Sequence, residues 1–206
     1  MNEGLINTPL SDEEKDAKIA VAAAAYEGFM DAVIPNWRND PNSKDTPIRV
    51  AKTYITELCS GIYGKKPKMT SFDNVNKYNG IVFQGGIEVK SMCSHHHLPF
   101  FGKAWVAYIP KSSGNIIGLS KLNRIVEFCS RRPQVQENLT VQINEEVSKL
   151  VGENDGVAVC IKAVHTCVCH RGVGHGSAMQ TAKLTGLFFT NEIGTRAEFY
   201  NMIAND

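Results

Sequence analysis

Net charge is nearly absent from this 206-residue chain: 22 Lys and Arg face 21 Asp and Glu, a formal +1. Such a balance gives no global basic field for nucleic acid, and there is no polybasic tail, so any anion must be recognised locally. Long hydrophobic runs are missing as well. No apolar stretch approaches the ~20 residues of a membrane span. The first ten residues have neither a charged n-region nor an apolar h-region, so no signal peptide is expected. Internal repeats, low-complexity tracts and repeated Cys-x-x-Cys pairs are absent. Six cysteines are present, but a chain with 43% hydrophobic residues can bury a core without disulfide staples. These absences point to a soluble, cytoplasmic protein with reduced thiols and no membrane or nucleic-acid partner.

What is present is concentrated in Val89–Pro99, where Cys93, His95, His96 and His97 fall within five positions. Thiol and imidazole are the side chains a borderline-soft divalent metal prefers. Cys93 and His96 stand three apart, so one short loop can present sulfur and nitrogen to one ion. A second cluster, His165-Thr166-Cys167-Val168-Cys169-His170, follows the apolar run from 157 to 164, which reads as a strand. Residues two apart on a strand share a face, which would align His165, Cys167 and Cys169. The simplest site is zinc held by Cys93, His96 and Cys167 with an open fourth position, the arrangement of a catalytic metal. A closed structural site using Cys169 or His170 as fourth ligand is the alternative.

The remaining pattern reads as α+β. The first ten residues read as a loose arm. A capping box of Ser11 and Glu14 opens a helix with Ile19, Ala22, Tyr26, Phe29, Met30 and Val33 at helical spacing, stopped by Pro35. Asn36 to Asp45 reads as loop. Thr46-Pro47 reads as cap and first turn of a helix with Val50, Tyr54 and Leu58 on one face. After a polar loop, 65–80, come a strand over 81–92 with a bulge at Gly85-Gly86 and a strand over 103–109. Ser120 is expected to cap a helix carrying Leu122, Ile125, Val126 and Cys129. A longer helix follows, with Val135, Leu139, Ile143, Val147 and Leu150 in a stripe ending at Gly152. Strands over 157–168 and 183–190 and a helix capped by Thr195 and Glu198 complete the chain. The core order is strand, strand, helix, helix, strand, strand. Ser120, Lys121 and Arg124 make a possible phosphate cradle, against the plainer reading of a solvated cationic face. Arg171 lies in a glycine-rich loop able to bring N–H groups to an anion. Glu137 is either an ordinary first-turn carboxylate or the acceptor for two N–H donors of a heterocycle. Arg49, taken locally, is an exposed charge.

These residues resemble the GTP cyclohydrolase I family. The likeness rests on Thr46-Pro47-Ile48-Arg49-Val50-Ala51-Lys52, on Ser91-Met92-Cys93-Ser94-His95-His96, on Ile117-Gly118-Leu119-Ser120-Lys121-Leu122-Asn123-Arg124, on Arg131-Arg132-Pro133-Gln134-Val135-Gln136-Glu137, on Ala163-Val164-His165-Thr166-Cys167 and on Arg171-Gly172. The blocks are colinear from Thr46 onward. The resemblance implies a tunnelling fold, an antiparallel sheet with helices on one face whose strands join between subunits into a ring. It implies an N-terminal helical extension over 1–65 and a catalytic domain over 66–206. Two pentameric rings would stack into a homodecamer. It implies zinc on Cys93, His96 and Cys167, acid–base histidines His95 and His165, and guanine recognition by Gln136 and Glu137. Triphosphate and ribose contacts fall to Ser120, Lys121, Arg124, Arg171 and Arg49. The reaction implied is hydrolytic opening of the guanine imidazole ring of GTP, loss of formate and reclosure to dihydroneopterin triphosphate, at the head of a pterin, folate or deazaguanine route. Ser94 stands where the family has Glu, a change expected to touch rate more than reaction type.

Two other classes fit parts of this pattern. A nitrile reductase of deazaguanine metabolism shares the fold but uses a cysteine nucleophile and nicotinamide, with no need for three metal ligands. A non-catalytic zinc module is disfavoured by the neutral charge and the lack of repeated Cys-x-x-Cys pairs.

Overall fold

The structure is a computed structural model, and it describes residues 6–206. The chain divides into two compact units, one up to Lys66 and one from Pro67 to Asp206.

In the first unit, α1 spans Asp12–Val33 and opens on the expected capping box. The Ser11 hydroxyl accepts from the Glu14 N–H, and the Glu14 carboxylate accepts from the Ser11 N–H. Only Ile19, Ala23 and Met30 are buried along it, while Phe29 and Val33 stay exposed. The expected loose arm falls partly outside the described residues, and its described part is tied down. The Asn7 amide donates to the carbonyls of Gly61, Ile62 and Gly64, and the N–H groups of Thr8 and Leu10 donate to Ile62 and Tyr63. Within the expected loop, Trp37–Asn39 forms a 3-10 turn that buries Trp37.

Helix α2, Thr46–Thr53, does carry Pro47 in its first turn, but Thr46 is not the cap. Asp45 holds that position, and its carboxylate is spent on Arg49 at 3.1 Å. The buried face is Pro47, Ala51, Ile55 and Cys59, one residue out of phase with Val50, Tyr54 and Leu58. A π-helical turn over Tyr54–Leu58 follows α2, in which Cys59 N–H reaches back five residues to Tyr54 O, before the short α3, Ser60–Tyr63.

In the second unit, β1 (Ser71–Asp73), inside the stretch 65–80 expected to be loop, pairs with β4 (Asn115–Ile117) in a small antiparallel ribbon. The main sheet holds β2 (Val82–Cys93), β3 (Pro99–Pro110), β5 (Pro133–Gln134), β6 (Asn154–His165) and β7 (Ala178–Leu184), in the order β5-β2-β3-β6-β7. The long pairings are antiparallel, and only the two-residue β5 runs parallel to its neighbour. The register of β2 against β3 slips between Gln84 and Ile87, with Gly86 at φ 60°, so the glycine pair is the expected bulge.

Helices α4 (Leu119–Ser130) and α5 (Gln136–Val151) cover one face of the sheet. Leu122, Ile125, Val126, Leu139, Ile143 and Val147 pack there against Val106, Tyr108, Val157, Val159 and Ile161. Alternate strand residues, Ala107, Ile109, Ala158 and Cys160, pack on the other face with Phe188 and Phe199. The expectation of helices on one face is therefore corrected in part. The C-terminal α7 (Leu187–Thr190) and α8 (Ala197–Ala204) carry the phenylalanines that cover the second face.

Three terminal assignments also move. Gly118, not Ser120, occupies the cap position of α4. The strand expected over 183–190 ends at Leu184, because Gly186 takes φ 55° and the chain turns into α7. Thr195 lies inside a π-helical turn, Glu192–Arg196, which Asn191 caps through Gly194 N–H. Among the described residues no helix is long and apolar enough to cross a membrane, and all six cysteines are free.

Candidate active site

The β2–β3 connection is a tight loop closed on itself. Cys93 N–H donates to Leu98 O and His97 N–H donates to Cys93 O, with His97 in the left-handed region at φ 53°. Cys93 is thereby buried at the end of β2 while Ser94, His95 and His96 are exposed. Ser94 N–H donates to Gln134 O, tying the loop to β5. The chain at the end of β6 does not continue as strand. It turns into a one-turn helix α6, Thr166–Cys169. His165, Cys167 and Cys169 therefore do not share a strand face, and the expected alignment is corrected. The turn brings Cys167 to the same cavity as Cys93, and burial followed by the neighbouring Cys93 thiol pushes the Cys167 thiol above its ordinary range.

A cavity of about 300 Å³ opens between these elements, lined by Cys93, His95, Gln136, Glu137, His165 and Cys167 with Met179 of β7 on its rim. The first turn of α5 aims Gln136 and Glu137 into it. His165 stacks on Phe100, its register partner across β3 and β6, at 4.5 Å between centroids and 8° between planes. Its Nε2 lies 2.8 Å from Gln136 Oε1. Burial lowers the His165 imidazole below its ordinary value, partly opposed by the Glu137 carboxylate. His95 Nδ1 is 3.7 Å from Cys93 Sγ.

The expected trio Cys93, His96 and Cys167 is not assembled as a finished cluster. Among the described residues no three His, Cys, Asp or Glu side chains form a metal-holding group. His96 Nε2 instead accepts from Arg171 Nη1 at 3.1 Å, and the same nitrogen of Arg171 donates to Cys167 O. Neither Cys169 nor His170 lines the cavity. Arg171 is thus brought to the site, whereas Ser120, Lys121 and Arg124 sit on the first turns of α4 and line no part of the cavity. Arg49 belongs to the first unit, where it pairs with Asp45. A larger cavity, about 460 Å³, runs along the β2 bulge and α4 and contains none of the expected site residues. Sequence reasoning missed Phe100, Thr140 and Thr181. Nothing local marks Thr181, which follows Gln180 in β7, or Phe100 as the neighbour of a histidine sixty-five positions on.

Comparison with known proteins comes to the same place. A family model described as GTP cyclohydrolase I matches residues 23–204. GTP cyclohydrolase 1 of Flavobacterium johnsoniae is 42% identical over 199 residues, covering 96% of this chain and 85% of its own. GTP cyclohydrolase 1 of Yersinia pseudotuberculosis is 47% identical over 203 residues, covering 96% of this chain and 90% of its own. The solved apo structure of the archaeosine synthase QueF-Like aligns with 52% of this chain and 93% of its own at 19% identity, with a TM-score of 0.41, too low to bear on the fold.

Proposed function

The chain belongs to the GTP cyclohydrolase I family, and we propose on that premise that the cavity between α5, the β2–β3 loop and α6 opens the guanine imidazole ring of GTP. The single observation that carries the reading is the meeting of two thiols, two imidazoles and the Glu137 carboxylate in one cavity built from four distant segments. Glu137 offers two acceptor oxygens at the start of α5. They match the N1–H and 2-amino donors of guanine, a pair that adenine lacks. His95 and His165 hold and move the protons needed as one water adds at C8 and one C–N bond breaks to open the ring, and as a second water cleaves the remaining C8–N bond to free formate. The buried floor of Phe100 and Gln136 keeps bulk water from the His165 ring.

Zinc is the metal this donor set suits. Cys93 and Cys167 bring two sulfurs together, and the His96 Nε2 lone pair now taken by a guanidinium is the one a metal would take. Cys93, His96 and Cys167 would hold the ion, which when bound would supply Lewis-acid activation of water near neutral pH. With His96 so engaged, Arg171 would be free to face the phosphates, and Ser120, Lys121, Arg124 and Arg49 would join it from other parts of the assembly.

A ring of subunits is supported by two open sheet edges. Among the described residues, strand β2 pairs on its outer side only at Met92 and Cys93, and β7 pairs only with β6. Such edges invite strand pairing with the next copy. In this reading pentamers stack into a decamer, residues 1–65 form the helical extension, and the product heads a pterin, folate or deazaguanine route in the cytoplasm.

Incubation with GTP tests the function. Formate and a product fluorescent after oxidation are expected, and Glu137→Gln should lower kcat/KM for GTP by at least about tenfold through loss of one acceptor to a buried donor pair. A wild-type enzyme that binds GTP and releases no formate overturns the reading.

A further inference from the structure

The Gln136 side chain has no N–H left for a substrate. It is fully buried. Its Nε2 lies 3.1 Å from Ile161 O, 3.2 Å from Met179 O and 3.0 Å from Thr181 Oγ1. Two of these are backbone carbonyls, which only accept, so the amide nitrogen must face them and the group cannot be reversed. Thr140 Oγ1 donates to Gln136 O at 2.8 Å, which commits its one proton. At the 2.7 Å contact between Thr140 and Thr181, Thr181 is therefore the donor. Protons run one way round a closed circuit, from the Gln136 amide to Thr181, from Thr181 to Thr140, and from Thr140 to the Gln136 carbonyl.

Gln136 Oε1 is left as a pure acceptor 2.8 Å from His165 Nε2. A lone pair on that nitrogen would face a lone pair on oxygen, so Nε2 carries hydrogen. Stacking on Phe100 opposes the half-turn of the ring that would put Cε1 in place of Nε2. In the neutral imidazole the lone pair then sits on Nδ1, which has no hydrogen-bond partner among the described residues.

We propose that Gln136, braced by Thr181 and Thr140, is a positioning residue that holds His165 as the Nε2–H tautomer, making Nδ1 the nitrogen that exchanges a proton with the substrate. This deepens the GTP cyclohydrolase reading and rests on it. When Nδ1 takes a proton, the ring becomes an imidazolium with both nitrogens protonated, and the Nε2–H bond to Gln136 Oε1 strengthens. When Nδ1 returns that proton, the starting tautomer is restored. The resemblance made Gln136 a guanine contact; with its N–H groups committed, its side chain can take that part only as an acceptor, through the second lone pair of Oε1.

The test has a spectroscopic and a kinetic arm, both on the full-length, zinc-loaded enzyme. Solid-state 15N spectra of histidine-labelled protein, with His165→Asn as the assignment control, should show His165 protonated at Nε2 and unprotonated at Nδ1. Gln136→Leu should lose about 10²-fold in kcat, the scale of a misplaced catalytic group, with GTP affinity unchanged. Because Gln136→Leu could fail to fold, Thr181 supplies a second pair. Thr181→Val should lose about fivefold in kcat, the worth of one hydrogen bond, and Thr181→Ser should recover it at equal zinc content. An Nδ1–H signal in the wild type overturns the proposal. So does Gln136→Leu losing GTP affinity at unchanged kcat, or Thr181→Val and Thr181→Ser behaving alike. Absence of formate release by the wild type would sink the cyclohydrolase reading separately, since the tautomer is read without turnover.

Discussion

Cys167 and Cys169 lie on the same single turn, yet of the two only Cys167 lines the cavity that Cys93 also lines. Cys167→Ser should therefore lose bound zinc and formate release together, while Cys169→Ser keeps both, as metal analysis of the purified variants would read. Equal zinc loss in the two would restore the closed structural site. The cysteines of the core behave differently. Burial pushes the Cys59 and Cys160 thiols above their ordinary range. For a thiol raised on folding, stability is full below the unfolded value, near ~8.5, and is lost as pH rises through the folded value, because the unfolded chain releases the proton first. The melting temperature should decline above that pH, and Cys160→Ala should flatten the decline in a pH series.

Strand β3 shows how an element's packing depends on one small residue. A Cβ at Gly102 would meet Lys162 O at 2.0 Å and Ala163 Cα at 2.6 Å, both on the neighbouring β6. Gly102→Ala should destabilise by about 1–3 kcal/mol through forced separation of the strands, measured by chemical denaturation. Because β3 and β6 carry Phe100 and His165 as partners, activity should fall further than stability alone predicts. Long elements were legible and short ones were not. Helix α5 repeats its apolar residues over sixteen positions, enough to read its period and its end at Gly152, where φ is 71°. The buried face of α2 is already one residue away from the expected one at Pro47 and Ala51, and β1, β4 and α6 have three or four residues each. Nothing in so few residues separates a turn of helix from the end of a strand, which is why Cys167 was misplaced.

The whole assembly decides whether Arg49 has any role in catalysis. Among the described residues of its own unit, Arg49 pairs with nearby groups, Asp45 and Asn42 O. If neighbouring subunits complete the site, His165→Ala and Arg49→Ala chains should each be inactive or impaired alone. Randomly mixed one to one, about a quarter of sites would regain both groups, so activity should rise clearly above the sum of the parents. Mixed oligomers confirmed by native mass measurement that show no gain would place Arg49 outside a shared site.

Residue order alone determined the strand, strand, helix, helix, strand, strand core, the capping box at Ser11, the bulge at Gly85-Gly86 and the two clusters of soft ligands. Each is a local matter of period, spacing or backbone freedom, readable over a few turns of chain. Tertiary structure decided what no local pattern carries. It set Phe100 against His165, closed the hydroxyl circuit of Thr140 and Thr181 around Gln136, and turned the chain after His165 so that Cys167 meets Cys93. These contacts join residues tens of positions apart whose partners are chosen by sheet register, and register is fixed by the packing of the whole sheet rather than by either segment.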